Sequence, residues 1–271
     1  MNRRDFLAIP CEGATLMATL DLPAGGAARS GLLVVTGGNE IRSGAWNGHA
    51  LLAARLSAQG HAVLRFDRRG IGDSDGANAG FRGSAADIAA ALAAFRAEVP
   101  GLRRVVGWGN CDAASALMLG AGCDCDALVL SNPWTYAHDD DAGGADEPAP
   151  APLTATELRA HYRARLLNPA ALRRLLTGGV PLGKLARSLV GLFRKPPPPG
   201  TLAQDMAAGL ARFDGPVQLL VAERDRTGQA FLAAWDRDDA RIARCPDATH
   251  SFVEAHAQQW LEARLLAALA G

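Results

Sequence analysis

Three residues far apart in the chain have the types needed for acyl transfer: Cys111 in GNCDA (109–113), Asp225 in AERDRTG (222–228) and His250 in ATHSF (248–252). A cysteine offers a sulfur nucleophile, an imidazole takes its proton, and a carboxylate fixes the imidazole's tautomer and stabilises its cation. Cys111 stands where an apolar run meets glycines and turns into a helical pattern. A turn of that kind is tight, so its neighbours must be small, and the helix N-terminus beneath it favours a thiolate. The competing reading makes Cys111 a small buried hydrophobe, as most free cysteines are. Asp225 could equally cap a helix or lie on the surface, with Glu223 and Asp247 as weaker substitutes.

The chemistry also needs donors for a developing oxyanion. The backbone N–H of Asp112 is one candidate, and Gly38 or Asn39 in TGGNEIRSG (36–44) supplies the second. The Asp112 carboxylate sits beside the thiol and opposes its ionisation. Arg42 either orients an anionic substrate or bridges to a surface acid. Of the other histidines, His49, His161 and His256 fall within helical patterns, His61 opens a strand, and His138 lies in an acidic stretch.

These residues need a scaffold that brings loops together. Residues 5–10 and 14–21 read as a hairpin. Strand-like runs at 31–36, 61–66, 103–108, 126–131, 216–222 and 240–245 alternate with helical patterns at 46–58, 84–98, 111–121, 227–236 and 254–269. Strand–helix alternation demands parallel strands with crossovers, which predicts a doubly wound, mostly parallel α/β sheet. Reactive groups then collect on loops at the carboxyl ends of the strands, where all the candidates fall.

The alternation breaks between 133 and 212. HDDDAGGADEPAPAP (138–152) is acidic and then rich in proline, and 154–195 is helical and basic before KPPPPG (195–200). The core is therefore assigned to 1–132 and 213–271, with 133–212 as an inserted cap that sets substrate choice. Its basic excess reads as a solvated face balanced by the acidic loop, or else as contact with an anionic substrate or membrane surface.

Composition excludes several classes. Lys plus Arg and Asp plus Glu both count 28, giving zero net charge, and no basic stripe suggests nucleic acid. Five cysteines without framework spacing argue against a secreted disulfide scaffold and for a reducing compartment. No ligand cluster for a metal and no Walker-type loop appear, so no cofactor is expected and the partner is a small-molecule or acyl substrate. MNRRDFLA looks like a twin-arginine export signal, but Pro10, Glu12 and Gly13 interrupt the apolar stretch it needs. With no long apolar span, a cytoplasmic protein is expected.

FDRRGIGDSDG (66–76) is similar to the D-x-R-G-x-G-x-S signature of α/β-hydrolases, matched at Asp67, Arg69, Gly70, Gly72 and Ser74. GNCDA resembles their nucleophile elbow G-x-S-x-G, with Cys111 in the serine position and Ala113 replacing the second glycine. The order Cys111, Asp225, His250 fits that fold. GGNEIRSG, FDRRGIGDSDG and WGNCDAAS together resemble the type-1 hydrolases associated with bacterial exosortase A systems, and the elbow cysteine is similar to that of dienelactone hydrolase. The resemblance implies an ester or thioester hydrolase working through a Cys-His-Asp triad, in an exopolysaccharide and protein-sorting context. An acyltransferase using the same triad, or a non-catalytic binding member of the fold, are the alternatives.

Overall fold

The computed structural model describes residues 3–136 and 201–271. An antiparallel hairpin, β1 (Arg3–Cys11) and β2 (Ala14–Leu22), leads into β3 (Ser30–Val35), α1 (Gly48–Ala58) and β4 (Ala62–Phe66). Then come α2 (Ala85–Glu98), β5 (Arg104–Asn110), α3 (Asp112–Leu119) and β6 (Ala127–Ser131). After the undescribed segment follow α4 (Thr201–Leu210), β7 (Val217–Ala222), α5 (Arg226–Ala234), β8 (Ile242–Cys245) and α6 (Ala255–Ala270).

The strands form one eight-stranded sheet in the order β1-β2-β4-β3-β5-β6-β7-β8. From β4 to β8 every pairing is parallel, and β2 joins β4 antiparallel. This is the doubly wound α/β sheet expected from the alternation.

Both faces of β3, β4, β5, β6 and β7 are largely buried, which is why they read as mostly apolar runs, whereas the edge strand β8 is partly exposed. Side chains still alternate. Leu33, Val35, Leu64, Phe66, Leu128 and Leu130 enter one core layer, while Leu32, Val34, Val63, Val106 and Val129 enter the other. Helices α2, α3, α4 and α5 cover the first layer, and α1 and α6 cover the second. Each fully buried Leu or Phe contributes about 1.5–3 kcal/mol relative to exposure.

Most of the expected cap, with its acidic and basic stretches, lies outside the described residues. Its C-terminal end departs from expectation: α4 buries Leu202, Met206 and Leu210 in the first core layer. Gly209 allows this packing, because a Cβ there would stand 2.2 Å from the Met118 carbonyl oxygen. The core therefore resumes at 201 rather than 213. Among the described residues no helix is long and apolar enough to cross a membrane.

Candidate active site

Strand β5 runs two residues further than its apolar run, because Gly109 and Asn110 continue the pairing with Leu130 and Ser131. The Cys111 N–H then donates to the Ser131 carbonyl at 3.0 Å, so the ladder carries the cysteine to the sheet's carboxyl edge. There the backbone reverses: Cys111 has φ 62° and ψ −129° and caps the N-terminus of α3. A non-glycine residue in that conformation carries strain of about 1–3 kcal/mol. The turn is tight enough to require Gly109, where a Cβ would meet the Ala113 carbonyl carbon at 2.7 Å. Ala113 fits with its side chain fully buried, so alanine serves where the common elbow has glycine.

Asp225 follows β7 and His250 follows β8, at the same edge of the sheet. Nδ1 of His250 lies 2.9 Å from Oδ2 of Asp225. The same carboxylate caps α5, accepting from the N–H groups of Thr227 at 3.2 Å and Gly228 at 3.0 Å. The two readings of Asp225 are thus one arrangement, since the cap holds the carboxylate where the imidazole needs it. Glu223 and Asp247 take no part in that pair. On its other side the His250 imidazole is turned to the Cys111 thiol, itself only half-buried, close enough for each to shift the other's proton affinity.

The electrostatics follow from burial against partners. Burial disfavours the imidazolium of His250, but its hydrogen bonds to Asp225 and Cys111 and their charges outweigh this and push it up to about 10. Burial raises the Cys111 thiol and the Asp112 charge adds to that, while His250 and the Asp112 N–H oppose both. The Cys123 and Cys125 thiols, raised by burial to about 11 and about 12, carry no imidazole partner among the described residues.

The oxyanion candidates lie beside the elbow. Gly38 has φ 50°, and its N–H donates to Oδ1 of Asp112 at 2.7 Å. Asn39 faces the Asn78 amide at 3.5 Å. Arg42 is not presented to the site: its guanidinium binds Asp67 and, at 2.7 Å, Asp73, and its Nε reaches Thr19 at 3.2 Å. It is the bridge of the two readings, with the buried Asp67 as its main partner.

Three residues that sequence reasoning passed over support the site. Asn132 is fully buried, and its Nδ2 donates to the His250 carbonyl and to Oδ1 of Asn110, at 3.2 and 3.1 Å. Its Oδ1 accepts from Ala222 N–H at 2.8 Å. Asn110 Nδ2 also donates to the His250 carbonyl, at 3.2 Å. Arg68, buried beneath the 36–44 loop, donates to the Gly38 carbonyl. Its signal was its place inside DRRG, directly after the motif aspartate. Next to the elbow lies a small open cleft lined in part by Trp46, His49, Trp108, Asn110, Ser251 and Phe252.

The alpha/beta hydrolase family model matches residues 32–263, most of the chain. The chain belongs to the alpha/beta hydrolase family. Several solved structures resemble this hydrolase over nearly all its length. Est1E from Butyrivibrio proteoclasticus, solved with ferulic acid bound, is 13% identical with a TM-score of 0.57, covering 98% of this chain and 100% of its own. A serine hydrolase without a lid from Xanthomonas campestris is 15% identical with a TM-score of 0.59, covering 99% and 94%. An esterase from Pyrococcus furiosus is 15% identical with a TM-score of 0.60, covering 99% and 91%. At such identities the likeness speaks for the fold alone. Among curated proteins no sequence relative matches this hydrolase.

Proposed function

We propose that this alpha/beta hydrolase cleaves carboxylic esters or thioesters through a Cys111–His250–Asp225 triad. The observation that carries the reading is the imidazole of His250 held between the Asp225 carboxylate and the Cys111 thiol, on a strained elbow. Est1E, described with ferulic acid, and the esterase name of the Pyrococcus protein favour carboxylic ester substrates. The resemblance of GGNEIRSG, FDRRGIGDSDG and WGNCDAAS to exosortase-associated hydrolases favours an exopolysaccharide context.

In the reaction His250 accepts the Cys111 proton and the sulfur attacks the carbonyl carbon. Backbone N–H groups of Asp112 and of Gly38 or Asn39 receive the oxyanion. Collapse breaks the bond to the leaving alcohol or thiol, which takes the proton from His250 and leaves a thioester on Cys111. Water, deprotonated by His250, attacks that thioester and releases the acid and the free thiol. Hydrolysis of p-nitrophenyl acetate tests the reading. Cys111→Ala should lower the steady-state rate by about 100-fold or more, and an unchanged rate would remove Cys111 from the chemistry.

A further inference from the structure

The candidate oxyanion site is already occupied from within. Oδ1 of Asp112 lies 2.7 Å from the Gly38 nitrogen, the separation a developing oxyanion takes from its donor. Gly37 makes the room, since a Cβ there would stand 2.5 Å from that same oxygen. Facing the carboxylate is Arg68, whose side chain is 3% exposed and whose Nη2 lies 3.9 Å from Asp112 Oδ2, too far for a hydrogen bond. Two further donors of this guanidinium, Nε and Nη1, are buried and have no hydrogen-bond partner among the described residues. A buried charged donor left unfilled is strongly unfavourable, so such a group awaits an acceptor.

We propose that Asp112 is an internal stopper of the oxyanion site. Its carboxylate holds the Gly38 N–H until a substrate carbonyl displaces it toward the guanidinium of Arg68, whose Nη2 also donates to the Gly38 carbonyl. The inference rests on the Cys111 hydrolase reading and deepens it. Small esters with little binding energy elsewhere open the site poorly, whereas a substrate with further binding groups beyond the carbonyl can supply the displacement.

The test is the Cys111-dependent burst of p-nitrophenol from p-nitrophenyl acetate in Asp112→Ala and Asp112→Asn. Alanine vacates the site and should speed acylation by about tenfold or more. Asparagine keeps an acceptor oxygen without the charge, and should stay within about threefold of the wild type. Equal acceleration by both variants would show a charge effect on the thiol and overturn the stopper, as would a slower or unchanged alanine variant. A wild type without any Cys111-dependent burst would sink the hydrolase reading and the stopper with it. A burst without acceleration in Asp112→Ala sinks the stopper alone. Independently of folding in the variants, the Gly38 amide proton of the wild type should move as the Asp112 carboxyl titrates. A Gly38 resonance that stays fixed through that titration contradicts the contact.

Discussion

The carboxylate of Asp225 lies 2.9 Å from Nδ1 of His250 and 3.0 Å from the backbone nitrogen of Gly228. One group therefore anchors a helix terminus and orients an imidazole, and a change at Asp225 must be felt in both.

The first consequence is a pH profile. Burial opposes protonation of His250, but Asp225 and Cys111 outweigh it and hold the imidazole up to about 10. The Cys111 thiol is raised as well, chiefly by burial. Burial and the Asp112 charge hold the proton on the Cys111 thiol at neutral pH, so the reactive thiolate grows as pH rises. Alkylation of Cys111 by iodoacetamide should accelerate steadily from pH 7 toward 10, and a rate already at its plateau near pH 6 would contradict this. Because folded His250 binds its proton more tightly than the unfolded residue, its contribution to stability is complete below about 6.5. That contribution fades as pH climbs through about 10. In Asp225→Asn the imidazole returns toward its ordinary value, and the stability loss between those limits should flatten.

Asn132 ties β6 to the His250 turn and to β7. Gly228 makes space for it, since a Cβ there would meet Asn132 Oδ1 at 2.8 Å. Asn132→Ala leaves the Ala222 N–H without its acceptor and should cost about 1–3 kcal/mol in denaturant unfolding. Because the lost bonds hold the His250 backbone, kcat should fall by about tenfold while KM stays within about twofold. A change confined to stability would make Asn132 a fold residue only.

Arg42 offers a clean separation of stability from binding. Its main partner, Asp67, is fully buried, whereas Asp73 is exposed and adds little. Arg42→Ala strands the Asp67 charge and should destabilise by about 3 kcal/mol. The KM for esters bearing a carboxylate should stay within about twofold. A selective rise in KM for those esters would restore Arg42 to substrate binding.

What the sequence made legible was local. Continuous apolar runs marked the strands because both faces of a parallel sheet are buried, and the small residues around Cys111 marked the elbow because its turn admits nothing larger. Long-range partners were hidden. The reach of Asp112 to Gly38 spans 74 residues and that of Asn132 to His250 spans 118, and neither leaves a local pattern. The sequence placed the Asp112 carboxylate against the thiol; the fold also turns it onto the loop above. Helix α4 follows a proline run, a pattern that groups it with the insertion, yet its buried face and the close approach of Gly209 to Met118 return it to the core.

The central claim is that Cys111 carries the acyl group. Intact-protein mass spectrometry after brief exposure to p-nitrophenyl acetate tests it most directly. The expected result is one added acetyl group, mapped to Cys111, that decays as ester turns over and is missing from Cys111→Ala. Acetyl groups spread over other residues, or the same adduct on Cys111→Ala, would contradict it.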